Sequence, residues 1–207
     1  MRPRTDGRET LVAHVNPDLC VSCGVCAGSC APMGVGPAQR TGRDQMVHIR
    51  ELIQQFEPRK EVAIVAVLCR NAPLSHGRAL AAAGATTHTV SCTGNMHTSA
   101  VELALRGGAD GVIVFCCPPR DCRGREGPKW LEQRMYHDRE AELQPRVDRR
   151  RVRLATAAAG GLAGTMKAFD DFRREVSRVG GSAPDETDIQ DPECVPQPVL
   201  RRKKVRA

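Results

Sequence analysis

The sequence predicts an α/β fold, with a small parallel sheet of about four strands and flanking helices, preceded by a separate cysteine module. Two patterns lead to this prediction. Apolar, strand-like runs alternate with helix-like segments through residues 61–181, and strands that are joined by helices pair in parallel with right-handed crossovers. A tightly spaced group of cysteines stands apart from this pattern, within residues 1–32.

Four segments have the composition of strands. Residues 62–68 are almost wholly apolar, as expected for a strand that is buried on both faces of a parallel sheet. Residues 87–90 are short and rich in β-branched side chains, which favour strands. Residues 112–115 and 152–156 complete the set, and we expect all four strands to form one sheet.

Helices are predicted between and around these strands. Thr98 and Ser99 are suited to cap one helix, which Gly107 and Gly108 end. The last helix has apolar side chains at steps of three and four residues, so one of its faces is predicted to lie in the core. The predicted helices span residues 47–56, 76–83, 98–106, a stretch that begins at Pro128, and 164–179.

The chain of 207 residues is long enough for one domain of ordinary size and a small appendage. We divide it into four parts. Residues 1–32 form the cysteine module, and residues 33–60 form a linker with a short helix. Residues 61–181 form the α/β domain, and residues 182–207 form a flexible tail that is first acidic and then basic.

The net charge of +7 does not indicate a nucleic-acid partner. Five basic residues lie in the last seven positions, RRKKVRA, and aromatic residues make up only 3% of the chain, which leaves few side chains to stack on bases. No apolar run reaches the length of a membrane span, and the N-terminus lacks the apolar segment of a secretory signal. We therefore expect a cytoplasmic protein without a membrane span, in which ten cysteines indicate metal binding or redox chemistry.

Cys20, Cys23, Cys26 and Cys30 follow the spacing C-x2-C-x2-C-x3-C, which is that of the cluster-binding loops of bacterial ferredoxins. Such short spacings let a tight turn direct successive sulfurs toward one cluster. The pattern predicts a ferredoxin-like module with one [4Fe–4S] cluster, with zinc or free thiols in a loop as the alternatives. The sequence has no second run of this kind, so the fourth ligand stays open between Cys30, Cys194, and a partner or water.

Further cysteines follow the first three predicted strands: Cys69, Cys92, and then Cys116, Cys117 and Cys122. The carboxyl ends of parallel strands meet at one edge of a sheet, where open α/β sheets build their sites. One cysteine in an apolar strand is commonly a core residue, but several that converge at one edge indicate a metal or iron–sulfur pocket. Because side chains alternate along a strand, we expect Cys117 to be a ligand, and Cys116 to be a buried core residue or a substitute ligand.

A wider pattern surrounds these cysteines. It consists of Cys69, then Cys92-Thr93-Gly94, then GADGVIVFCCPPRDCRGREGP with Cys117 and Cys122, and then Gln133-Arg134. In this pattern residues 62–179 resemble the iron–sulfur delta subunit of methyl-viologen-reducing hydrogenases, a domain that also occurs with heterodisulfide-reductase-like proteins. The resemblance implies an electron-transfer domain with one [2Fe–2S] cluster, for which Cys69, Cys92, Cys117 and Cys122 make a full set of four thiolates.

The resemblance also implies partners: a flavin-containing heterodisulfide reductase-like subunit, a hydrogenase or a formate dehydrogenase. We therefore expect an electron-transfer subunit of an oxidoreductase complex, with one [4Fe–4S] and one [2Fe–2S] cluster. We assign no catalytic residue, because no nucleophile with a base and an oxyanion site is evident. The alternatives are a cysteine-based redox or metal-sensing regulator, which the lack of a recognisable DNA-reading helix disfavours, and a zinc-stabilised interaction module.

Overall fold

A computed structural model gives the arrangement of the chain. It also gives the backbone of two short antiparallel strands near the N-terminus, β1 (Arg2–Pro3) and β2 (Glu9–Thr10). Cys194 and the predicted tail at 182–207 lie outside the described residues. Apart from β1 and β2, the described residues are 15–54, 56, 62–123, 126–137, 139–158 and 161–179.

The main sheet has four parallel strands in the order β4–β3–β5–β6. The two central strands, β3 (Ile64–Cys69) and β5 (Gly111–Cys116), are buried along their whole length, as their apolar sequences require. The outer strands, β4 (Thr86–Val90) and β6 (Val152–Thr156), keep partly exposed side chains. The predicted α/β fold with a parallel sheet of four strands is confirmed.

Helices cover both faces of this sheet. They are α2 (Gly42–Ile53), α3 (Leu74–Ala82), α4 (Thr98–Arg106), α5 (Gly127–Tyr136) and α6 (Leu162–Val179). The short helix α1 (Val25–Gly28) lies in the N-terminal cysteine run. Short 3₁₀ helices lie at Thr93–Asn95, Pro119–Asp121 and Arg149–Arg151. Within the described ranges, no helix combines the length and the apolar character that crossing a bilayer requires.

Alternation along the central strands divides the core into two layers. Val65 and Val67 of β3 point to the layer that α2, α4 and α5 cover, together with Cys116 at the end of β5. Residues of the opposite parity, such as Leu68 and Phe115, point to the layer that α3 and α6 cover. Each central strand is therefore anchored on both faces, which fixes the position of its carboxyl end.

Helix α2 begins earlier than the predicted helix at 47–56, because Thr41 and Asp44 form a capping box. The backbone N–H of Thr41 donates to Asp44 Oδ2 (2.8 Å), and the N–H of Asp44 donates to Thr41 Oγ1 (3.2 Å). The prediction followed the apolar residues and missed this polar start. Because Ile49 and Leu52 are buried in the core, the stretch predicted to be a linker includes a helix that packs on the sheet domain.

The predicted cap of α4 was wrong. His97 occupies the capping position, and its Nδ1 atom accepts a hydrogen bond from the backbone N–H of Ser99 (3.1 Å). Thr98 is the first residue of the helix, and its hydroxyl donates instead to the Ala141 carbonyl oxygen (2.8 Å). The hydroxyl of Thr98 thus ties α4 to the segment after α5 rather than capping its own helix.

Candidate functional site

Three strands of the parallel sheet deliver cysteines to the same edge. Cys69 is the last residue of β3, Cys116 is the last residue of β5, and Cys92 follows the end of β4 by two positions. Cys117 comes directly after β5, and Cys122 follows a 3₁₀ turn. The parallel register aligns the ends of the strands, because Leu68 pairs with Phe115 and Cys69 pairs with Val90.

The four edge thiols that the sequence singled out are neighbours. Cys69, Cys92 and Cys117 are buried, and Cys122 is half-buried. The thiol of Cys69 donates to the Ser91 carbonyl oxygen (3.8 Å). Burial, with smaller contributions from the neighbouring thiols of Cys69, Cys122 and Cys92, raises the pKa of Cys117 to about 12. Burial, with smaller contributions from Cys122, Cys69 and Cys23, raises the pKa of Cys92 to about 11.

Thiols with such raised pKa values are protonated at neutral pH, whereas metal ions bind thiolates. A bound cation reverses this balance, because its positive charge stabilises the deprotonated sulfurs. Across the described parts of the chain, no group of three or more His, Cys, Asp or Glu side chains is arranged to hold a single metal ion. The edge offers four thiols, which is the number of thiolates that a [2Fe–2S] cluster requires. In such a cluster the four thiolates are divided between two irons and are not gathered around one metal ion.

Cys116 has different surroundings from Cys117. Its side chain belongs to the core layer of α2, α4 and α5, and its Sγ atom lies 3.9 Å from the Val114 carbonyl oxygen. Burial raises the pKa of Cys116 to about 11, with smaller effects from Cys69, Cys92 and Cys122. Cys116 is therefore a buried core residue that lies close to the thiol group, and the choice of Cys117 as the ligand stays a prediction.

The cysteines of the N-terminal run lie at the surface of the same edge. Cys20 and Cys26 are exposed, while Cys23 and Cys30 are half-buried. Between Cys23 and Cys26 the chain turns through Gly24, whose left-handed backbone (φ +79°) precedes the short helix α1. The assignment of these four residues to a cluster stays a prediction.

The N-terminal run is attached to the loop that contains Cys92. The side-chain amide of Asn95 donates to the carbonyl oxygens of Gly24 (3.0 Å) and Arg40 (3.0 Å). The guanidinium of Arg40 donates to Ser91 Oγ (2.9 Å) and to the Ser22 carbonyl oxygen (3.1 Å). These bonds place the residues that flank Cys23 against those that flank Cys92, so the two cysteine groups are adjacent.

Helix α2 holds the same loop from the other side. Gln45 is buried, and its amide nitrogen donates to the Asn95 carbonyl oxygen (2.8 Å) while its amide oxygen accepts from the backbone N–H of His97 (2.8 Å). Gln45, Asn95 and Arg40 were all missed from the sequence. No local pattern marks them, because each acts through hydrogen bonds to residues far away along the chain.

Close packing around Cys92 depends on Gly127, the first residue of α5. A Cβ atom at position 127 would collide with the sulfur of Cys92 and would also crowd Gly94. Helix α5 therefore begins directly against the thiol, and its start limits the space in which the Cys92 sulfur can lie.

Arg134 of α5 is fully buried (0% exposed) and joins the two cysteine groups. One terminal nitrogen of its guanidinium, Nη1, donates to Ser29 Oγ (3.1 Å), and the other, Nη2, donates to the carbonyl oxygens of Gly94 (2.8 Å) and Met96 (3.3 Å). The pKa of Arg134 is lowered to about 10, mainly by burial, so the side chain is still charged at neutral pH. The sequence marked Arg134 only as part of a resemblance and gave it no role.

His97 is another buried polar residue in this region. Its Nδ1 atom is used by the Ser99 N–H, and its Nε2 atom has no hydrogen-bond partner among the described residues. Burial is the main cause that lowers the pKa of His97. Its ring is therefore neutral at neutral pH and adds no positive charge to that of Arg134.

Comparison with known proteins gives the family. Residues 64–180 match the family model FlpD, described as methyl-viologen-reducing hydrogenase, delta subunit. The matched range begins at β3 and includes the edge cysteines and Arg134, whereas the N-terminal run of cysteines lies outside it. A search of curated proteins found no match. Since the matched range covers more than half of the chain, the chain belongs to the family of the methyl-viologen-reducing hydrogenase delta subunit.

Proposed function

We propose that this chain is an iron–sulfur electron-transfer subunit. In this proposal Cys69, Cys92, Cys117 and Cys122 hold one [2Fe–2S] cluster, and the N-terminal run Cys20, Cys23, Cys26 and Cys30 holds one [4Fe–4S] cluster. The observation that supports it best is the contact between the two cysteine groups, made by Asn95 and Arg40, in a chain of a hydrogenase-associated family.

The clusters would supply one-electron redox chemistry, and the protein would supply position and environment. Gln45 and Asn95 fix the loop that contains Cys92, because both side-chain amides form hydrogen bonds to that loop or to the residues packed on it. Burial of Cys69, Cys92 and Cys117 keeps water away from the inner site. The exposed Cys20 and Cys26 place the outer site at the surface, where a partner can approach.

Cys30 is the fourth ligand of the N-terminal site in this proposal. It is half-buried and follows Ser29, whose hydroxyl is held by Arg134, so its backbone is fixed next to the other site. Substrate turnover would take place on a partner, for which the family description suggests a hydrogenase. A formate dehydrogenase and a flavin-containing heterodisulfide reductase-like subunit are the other candidates that the sequence resemblance implies.

Anaerobic purification followed by iron and sulfide analysis, with electron paramagnetic resonance (EPR) of the reduced protein, tests the proposal. We expect about six irons and about six sulfides per chain, since the two clusters together contain these numbers of atoms, and a reduced spectrum to which both clusters contribute. Zinc without sulfide would contradict the electron-transfer function and would indicate a zinc-stabilised module instead.

A further inference from the structure

Arg134 is a charged residue in a place where charge is costly. Its guanidinium is fully buried, and in the described part of the chain it forms no ion pair with an aspartate or a glutamate. Its neutral acceptors are a hydroxyl and two backbone carbonyls, and its Nε atom has no hydrogen-bond partner among the residues that the structure describes. A buried charge without a counter-charge is strongly unfavourable, so this position calls for a negative group close by.

The contacts of Arg134 show where that negative group would lie. Nη2 binds the Gly94 carbonyl oxygen, two residues after Cys92, and Nη1 binds the hydroxyl of Ser29, which precedes Cys30. The guanidinium therefore lies between the two groups of thiols. The packing around the guanidinium is tight, because a Cβ atom at Gly28 would come within 2.6 Å of Nη2.

We propose that Arg134 is the counter-charge of the thiolate-bound clusters and favours their reduced state, an inference that rests on the proposed function. One-electron reduction adds a negative charge to a cluster. A fixed positive charge in the water-poor interior stabilises this added negative charge more strongly than a positive charge at the exposed surface does. Arg134 is thus a positioning residue: it contacts no redox group directly, but it holds both loops and sets the reduction potential of the site beside Cys92.

Redox titration followed by EPR tests this role in the full-length protein with clusters assembled. In Arg134→Gln, which removes the charge and keeps a polar side chain, we expect the equilibrium constant for reducing the Cys117-dependent signal to fall about tenfold, which is about 59 mV in midpoint potential. Arg134→Lys keeps the charge and should shift the potential by less than half as much. Arg139→Gln is the matched control, because Arg139 is an exposed arginine near Arg134 whose charge is screened by water.

An unchanged potential in a loaded Arg134→Gln protein would overturn the inference, as would a shift in Arg134→Lys as large as that in Arg134→Gln. If Arg134→Gln assembles no second cluster, Arg134→Lys decides. If Arg134→Lys assembles the cluster and its potential is close to that of the wild type, the role of the charge is supported. If neither variant assembles the cluster, Arg134 is only a packing residue. A wild-type protein without iron and sulfide overturns the proposed function itself, which separates the two failures.

Discussion

At the scale of single residues, Cys116 and Cys117 show how one position along a strand changes the role of a thiol. Cys116 packs in the core near the Val114 carbonyl oxygen, whereas Cys117 is the next residue, directly after the end of β5. Adjacent side chains point in different directions at the end of a strand. The roles of the two thiols can therefore be tested separately by single substitutions.

Cys117→Ser is expected to abolish the [2Fe–2S] signal and to lower the iron content by about two atoms per chain, with the [4Fe–4S] signal retained. Cys116→Ser is the matched control and should retain both signals, because its side chain lies in the core layer. EPR and iron analysis of both variants check this. If Cys116→Ser loses the [2Fe–2S] signal and Cys117→Ser retains it, Cys116 rather than Cys117 is the ligand.

Gly127 gives a second prediction at this scale. Gly127→Ala should displace the Cys92 sulfur, so we expect loss of the [2Fe–2S] signal and a destabilisation of about 1–3 kcal/mol from overpacking. Gly164→Ala is the control, because a Cβ atom at that helical position meets open space, and it should stabilise the protein by about 0.5–1 kcal/mol. Urea unfolding and EPR measure both effects, and equal behaviour of the two variants would contradict the packing argument.

At the scale of elements, α2 supports the site although it lies outside the matched family range. Its capping box fixes where the helix begins, and Gln45 in its second turn holds the loop that contains Cys92. The hydrogen bonds from Thr41 hold the pKa of Asp44 below its ordinary value of 3.8. The contribution of Asp44 to stability is therefore fully present above pH 3.8 and is lost as the pH falls through its lower folded value.

Thr41→Ala is expected to lower the free energy of unfolding by about 1 kcal/mol at neutral pH, because it removes the helix cap. Asp44→Asn should also destabilise the protein at pH 7, and the difference from wild type should disappear in strong acid, where both side chains are uncharged. Urea unfolding at the two pH values measures this. A destabilisation by Asp44→Asn that does not depend on pH would contradict the role of the charged carboxylate.

The same elements show what the sequence determines and what it leaves open. The strands were predictable because β3 and β5 are continuous apolar runs, and the meeting of Cys69, Cys92 and Cys117 followed from parallel pairing. The start of α2 was missed because the prediction followed the apolar residues, and the cap of α4 was misassigned because Thr98 and Ser99 are common capping residues whereas His97 caps the helix. The links made by Arg40 and Asn95 were not predictable, because each joins residues that are distant along the chain.

At the scale of the whole molecule, the N-terminal cysteine run and the sheet edge form one continuous region. The loop at 91–97 receives hydrogen bonds from α2 and Arg134 and donates to the residues around Gly24. Cys23 is close enough to Cys92 to contribute to the raised pKa of Cys92. In the proposed function, electrons would enter at one group of thiols and leave through the other, and the partner would dock at the exposed group.

EPR of the fully reduced protein, purified without oxygen, tests this path most directly. Because the loops of Cys23 and Cys92 are in contact, the unpaired spins of two reduced clusters should interact, and the wild-type spectrum should differ from the sum of two isolated signals. Cys23→Ser should remove the [4Fe–4S] signal and leave an unperturbed [2Fe–2S] signal. A wild-type spectrum that equals the sum of two independent signals, or a protein that binds zinc and contains no sulfide, would contradict the account.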